Sequence, residues 1–298
     1  MIVTKFKYPL EDNLIKKLDL MIDRCTTKRS KKDTVLLCEG AEGEGKTTLS
    51  IAIAYYVADK TKRKFSHKNV FFDIDSMIEF AKNNKNKIIV WDEPALQALS
   101  TDWATGAVKN ITRLLMMARK NRHFFIFNIT KFYKFNEYIV VDRPMALIHV
   151  YSRRNIQSGR FVYIRKKKLE ALWRDYRYKK RRSYKQHSSK KIRGTFPNIL
   201  DENYKNNVLS DFDNDAYEKA KDEAIRSIGD KKKFSRGLEQ RDKLVYFIKE
   251  RFKIPYRQLS NELKQFGLDL SKSNLSEICQ NSRPSPVYST LGLTATPS

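Results

Sequence analysis

The sequence predicts an α/β protein, a mainly parallel sheet flanked by helices, with a small all-α unit near its C-terminal end. Three observations carry that expectation. From Thr34 to about Arg165, short apolar runs alternate with stretches of helical spacing. The first of these runs passes through a glycine-rich loop directly into a helix, in the residues VLLCEGAEGEGKTT at 35–48. Further on, residues 236–281 carry apolar helical faces separated by turn signals.

Taken in order, residues 10–24 place Leu14, Ile15, Leu18, Met21 and Ile22 at helical spacing, so an amphipathic helix is expected within an N-terminal extension, 1–33. The basic segment KRSKKD separates it from the strand VLLCEG. Then follow a helix from Lys46 to about Ala58, the strand NVFFDID, a helix over SMIEFAKN, the strand KIIVWDE, a helix over GAVKNITRLLMMARK, and the strands HFFIFNIT and ALIHVYS. Short apolar strands alternating with helices imply a sheet covered on both faces. Gln157-Ser158-Gly159 reads as a tight turn, after which RFVYIRKKK is expected to pair antiparallel at an edge. These elements bound a domain at 34–165.

The loop Gly40-x-x-x-x-Gly45-Lys46-Thr47 has the chemistry of an anion cradle. Successive backbone N–H groups hold phosphate only where side chains leave room, which suits Gly40, Gly43 and Gly45. The helix that starts near Lys46 adds the positive end of its dipole. Lys46 reaches the β- and γ-phosphates of a nucleotide as a point charge, and the Thr47 hydroxyl supplies a ligand to Mg2+. Glu44 and Thr48 complete the predicted nucleotide-binding set. The run Ile88 to Trp91 then delivers Asp92 and Glu93 side by side at a strand end, where ligands of open α/β sheets bind. Asp92 fits a magnesium carboxylate, and Glu93 fits the base that polarises an attacking water.

Together the two motifs resemble the additional-strand, catalytic-glutamate class of P-loop ATPases, which includes AAA+ proteins, DNA translocases and packaging motors. The resemblance spans about residues 34–165 and implies ATP and Mg2+ as the bound groups. It also implies that Asn128, ending the run HFFIFN, helps to position the attacking water. Arg143, in VVDRP, matches the place from which related ring ATPases send an arginine into a neighbour's site, with Arg119 and Arg122 as competitors. The Lys- and Asn-rich composition is similar to that of ATPases of viruses and plasmids.

The charge points to a partner. The 298 residues carry 60 Lys and Arg against 34 Asp and Glu, a net charge of +26 that suits a polyanion. Nucleic acid, DNA first, is the expected partner, with an anionic membrane surface second. There is no run of about eighteen apolar residues, which argues against a spanning helix, and an intracellular, cytoplasmic setting follows. Cys25, Cys38 and Cys279 lack metal-ligand spacing and read as reduced packing thiols.

After Ile164 the composition becomes strongly basic, and 166–235 is expected to be a basic helix and linker. Lys179, Lys180, Arg181 and Arg182 can neutralise phosphates. Trp173, Tyr176, Tyr178 and Tyr184 either stack on unpaired bases or dock the helix by an aromatic face. A helix from about Asp213 to Ile228 is expected to serve as a connection ending at a hinge near Gly229. In 236–281, Leu244, Phe247 and Ile248 form one helix face and Leu259, Leu263 and Phe266 a second. Gly267 breaks the chain, and a third helix from about Ser271 buries Leu275 and Ile278. This stretch resembles the trihelical, helix-turn-helix DNA-binding heads of regulators and recombinases, which implies Lys272, Ser273, Asn274, Ser276 and Gln280 as the reading face. The Pro- and Ser-rich residues 282–298 are expected to be disordered. The function that follows is an ATP-hydrolysing motor acting on DNA as a homo-oligomer; the alternative is an ATP-gated DNA-binding assembly switch with slow turnover.

Overall fold

In the computed structural model, which describes residues 10–27, 32–92, 109–116, 118–152, 159–198, 212–230 and 236–282, the first apolar run forms strand β1 (Thr34–Glu39), buried at every position. The glycine loop follows, and then helix α2 (Lys46–Thr61), preceded in the chain by α1 (Asp12–Thr26). The next elements are β2 (Val70–Phe71), α3 (Ile74–Asn83), β3 (Ile88–Trp91), a helix at 109–116 (α4), β4 (Phe124–Ile129), β5 (Ala146–Tyr151) and β6 (Gly159–Arg165). Helix α5 (Lys166–Lys179), the short α6 (Tyr184–His187), β7 (Arg193–Phe196) and α7 (Asn214–Asp230) complete the first of two compact units, which ends at Asp230.

The described strands make one seven-stranded sheet in the order β2-β3-β4-β1-β5-β6-β7. β2, β3, β4, β1 and β5 run parallel, with Leu36 opposite both Ile126 and Ala146. β4 therefore stands between the strand that leads into the loop and the strand that ends before Asp92. Side chains alternate between two buried layers. Leu36, Cys38, Val90, Ile126 and Ile148 pack on one face with α1 and α2, while Val35, Leu37, Ile89, Phe127 and Leu147 pack on the other with α3, α4 and α5.

Several elements depart from the sequence-based reading. α1 buries the expected face, Leu14, Ile15, Leu18, Met21 and Ile22, and adds Cys25 to it. β6 is antiparallel to β5 as expected, but it is not the edge, because β7 pairs antiparallel on its far side. The stretch 166–230, expected as a basic helix and linker, lies within the first unit. Leu169, Leu172 and Trp173 of α5 are buried against the sheet.

His123, at the entrance to β4, is fully buried, with Nε2 2.9 Å from the Ala81 carbonyl and Nδ1 accepting the Lys87 N–H at 3.2 Å. That arrangement uses the neutral ring, and burial holds its pKa below the ordinary 6.5. A proton on Nδ1 would confront the Lys87 N–H. The unfolded chain therefore takes up this proton at a higher pH than the folded one, and stability falls as pH drops below 6.5. Unfolding free energies from urea titrations, measured from pH 7.5 downward, should decline by up to about 1.4 kcal/mol per pH unit from this group. The decline should shrink in His123→Gln; an identical profile would remove His123 as its source.

The second unit contains α8 (Arg236–Phe252), α9 (Tyr256–Gln265) and α10 (Lys272–Asn281) around Val245, Leu259, Leu270, Leu275 and Cys279. Gly267, at φ +78°, allows the tight end of α9, and the Ser271 hydroxyl caps α10 by accepting the Asn274 N–H at 3.2 Å. The buried stripe of α8 is displaced by one residue from the expected one: Val245 turns inward, whereas Leu244 and Phe247 are exposed. Phe266 is exposed and Cys279, rather than Ile278, is fully enclosed. Residues 283–298 lie outside the described residues.

Candidate functional site

The site forms at the C-terminal ends of β1, β3 and β4, around the glycine loop. Gly43 and Gly45 adopt φ of +76° and +89°, the left-handed conformations that the loop needs and that L side chains disfavour. Gly40 is required for a different reason, since a Cβ there would lie 2.3 Å from the Val150 carbonyl oxygen of β5. α2 starts at Lys46 without a side-chain cap, which leaves its first N–H groups directed into the loop. Lys46 is buried and its Nζ donates to the Ala41 carbonyl at 2.7 Å, across the mouth of the same loop.

Asp92, the residue after β3, is completely buried. The Thr47 hydroxyl lies 3.0 and 3.1 Å from its two carboxylate oxygens, and the Asn128 side-chain amide donates to Oδ1 at 2.7 Å. Asn128 comes from β4, the strand between β1 and β3, and its own oxygen accepts the Ser50 hydroxyl of α2. The intervening strand thus places an amide where it bridges the acid and the loop helix. Thr47, Asp92 and Asn128 are joined in one hydrogen-bonded chain beside the loop that holds Lys46. Glu93 and residues 94–108 lie outside the described residues.

These groups fit Mg2+. That ion takes hard oxygen ligands and is held by one or two protein groups, with waters and phosphate oxygens completing its shell. The Thr47 hydroxyl and the Asp92 carboxylate are such a pair, and no cluster of three or more His, Cys, Asp or Glu side chains occurs among the described residues. Burial, with the Asp92 charge nearby, raises the Cys38 thiol to about 12, so it is a neutral packing group beneath the site.

Other neighbours were not visible in the motifs. The ring of Phe196, at the end of β7, comes within 3.2 Å of where a Cβ on Gly45 would be, and Asn198 Oδ1 is 3.5 Å from the Thr48 hydroxyl. Glu44 keeps one carboxylate oxygen enclosed without a hydrogen-bond partner. Glu39, immediately before Gly40, meets His149 Nδ1 at 2.6 Å and accepts the Tyr184 hydroxyl at 2.8 Å, with the His149 and Tyr184 rings stacked at 4.0 Å. The Tyr217 hydroxyl of α7 donates to Asp92 Oδ2 at 2.8 Å.

Arg143 does not join this group. It precedes β5, at the end of the strands away from the loop, and Nη2 contacts both carboxylate oxygens of Asp33 at 2.8 and 2.6 Å in a buried pair. Where the sequence suggested an arginine directed at a neighbour's phosphate, the guanidinium is engaged by Asp33 of its own chain.

On the basic segment, Lys179, Lys180, Arg181 and Arg182 are exposed. Three of the four aromatic residues there are engaged in packing: Tyr176 stacks on Tyr133 at 4.0 Å, Trp173 meets Phe132 edge-on at 5.7 Å, and Tyr184 stacks on His149. Tyr178 is 78% exposed. His187 and Ser183 hold the Asp175 carboxyl down to about 2, tying α6 back to α5. In the second unit, Lys272, Ser273 and Asn274 are exposed at the start of α10.

The sheet order, the glycine loop and its helix give the fold of the P-loop NTPases. No protein-family model matches the chain, and no curated protein matches it. Similar solved structures include a KaiC-like protein from Pyrococcus horikoshii OT3, at 15% identity over 45% of this chain and 79% of that one, with a TM-score of 0.33. A chain of the HORMA:CdnC:Trip13 complex of E. coli MS115-1 is similar at 16% identity over 46% of this chain and 61% of its own, with a TM-score of 0.33. The flagellar accessory protein FlaH from Methanocaldococcus jannaschii follows at 14% identity, 50% and 83% coverage and a TM-score of 0.28. Among the described residues no helix is long and apolar enough to cross a membrane.

Proposed function

We propose that the chain is a Mg2+-dependent ATPase of the additional-strand, catalytic-glutamate class that acts on nucleic acid, as a DNA-translocating or DNA-remodelling motor of a virus or mobile element. The observation that supports the ATPase reading is the hydrogen-bonded chain Thr47–Asp92–Asn128 beside the loop that holds Lys46, with β4 inserted between β1 and β3. In this reading the loop amides and Lys46 bind the phosphates, and Thr47 and Asp92 hold Mg2+. The ion, when bound, neutralises charge that develops on the phosphate oxygens. Asn128 fixes the Asp92 carboxylate and Glu93 orients the attacking water. The chain acts in an oligomer, in the cytoplasm of its host.

The nucleic-acid part of the reading is supported by the net charge of +26 and by the exposure of Lys179, Lys180, Arg181 and Arg182. Lys272, Ser273 and Asn274 on α10 would supply a second contact, from a helix-turn-helix unit. Titrating DNA into a steady-state ATPase assay tests it: turnover should rise several-fold, and binding should weaken steeply with salt. Reversing Lys179, Lys180, Arg181 and Arg182 to Glu should lower the slope of log K against log[salt] by about 0.9 for each phosphate that is no longer neutralised. An unchanged slope would mean that this run faces something other than DNA; ATP turnover indifferent to DNA would sink the motor.

A further inference from the structure

Tyr217 lies on a helix that the sequence presents as a mere connection, yet its hydroxyl sits inside the metal site. It donates to Asp92 Oδ2 at 2.8 Å, the same carboxylate oxygen that the Thr47 hydroxyl approaches at 3.0 Å. Its ring packs on Phe72 at 5.5 Å and on Phe212 at 5.7 Å, and Phe212 in turn meets Tyr55 of α2 at 6.4 Å.

The rest of the segment is held lightly. Between residues 212 and 226 only Phe212 and Tyr217 are buried, and the remaining positions are half-buried or exposed. Asp213 starts the helix, its side chain accepting the Ala216 N–H at 2.9 Å and its carbonyl the Tyr217 N–H at 3.1 Å. Two aromatic anchors at one end of a helix make an attachment that can release as a unit.

A phenol donating to Asp92 reproduces what a metal-bound water gives that carboxylate, a proton on the same oxygen. It therefore competes with the ion and its waters for Asp92 Oδ2. Mg2+ needs oxygen ligands at about 2.0–2.1 Å in an octahedron, and the phenol already takes up Asp92 Oδ2, the oxygen that the ion or a water of its shell would use. We propose that α7 is a latch on the nucleotide site, with the Tyr217 hydroxyl occupying the place of a magnesium ligand and expelled when Mg2+-nucleotide enters. The inference rests on the ATPase reading.

The test measures binding of a fluorescent ADP analogue to the full chain, in EDTA and in saturating Mg2+. A hydrogen bond to a charged acceptor held only in the closed state lowers the apparent affinity by roughly tenfold. Tyr217→Phe should therefore bind about tenfold more tightly than the unsubstituted chain in Mg2+ and equally in EDTA. Phe212→Leu, which loosens an anchor without touching Asp92, should shift affinity in the same direction. Hydrogen exchange over residues 213–226 of the unsubstituted chain should quicken when Mg2+ and ADP are both present. Equal Mg2+ dependence in both variants, or unchanged exchange, overturns the latch; weaker Mg2+-dependent binding in Tyr217→Phe makes Tyr217 a positioning residue of the loaded site instead. Absence of any ADP binding to the unsubstituted chain overturns the ATPase reading, and the latch with it.

Discussion

Lys46→Ala should lower ATP turnover by roughly 100- to 1000-fold, the range found when one preorganised group that stabilises developing charge is removed. The ammonium is buried at the mouth of the loop and held to the Ala41 carbonyl, so it is already positioned before any phosphate arrives. Truncation removes the charge but leaves Gly43, Gly45 and the start of α2 in place, and the fold should survive. Lys46→Arg should not restore activity, because the planar guanidinium is larger and cannot act as a point charge within a loop shaped for an ammonium. Phosphate release, with circular dichroism to confirm folding, measures the effect. Undiminished turnover by folded Lys46→Ala would take the glycine loop out of the chemistry.

The cradle was legible because its determinants are local. Gly43, Gly45, Lys46 and Thr47 lie within five positions, and an apolar strand and helix flank them. Asp92 was legible for a related reason, since a four-residue apolar strand can deliver an acid only at its end. What escaped the sequence depends on contacts distant along the chain. β7 reads Arg-Gly-Thr-Phe, with little β-propensity of its own, and exists through pairing with β6. Tyr217 is one aromatic residue in an acid-rich helix, and its partner Asp92 is 125 positions away. In α8, apolar residues at 244, 245, 247 and 248 form two adjacent stripes, and helical periodicity alone does not choose between them. The packing of α9 and α10 selects Val245 and leaves Leu244 outside.

Arg143→Ala should destabilise the first unit by about 3–5 kcal/mol, the usual consequence of leaving one member of a buried ion pair alone. The two side chains are 7% and 1% exposed, so truncation would leave Asp33 buried without its ion-pair partner. Arg143 precedes β5 and Asp33 precedes β1, and these parallel strands place both residues at the end opposite the glycine loop. The six residues of β1 separate that end from Gly40 by roughly 20 Å. Turnover per folded molecule should therefore change little, while the urea midpoint falls sharply. Replacing both partners, as Asp33→Leu with Arg143→Met, should recover much of the loss, since no isolated charge remains buried. The arginine-finger expectation makes the opposite forecast: an unaltered midpoint, turnover reduced by a factor of about 1000 or more, and no rescue by the second substitution. Measuring midpoint and turnover on the same preparations separates the two, and a catalytic defect without a stability defect would restore Arg143 to the reaction.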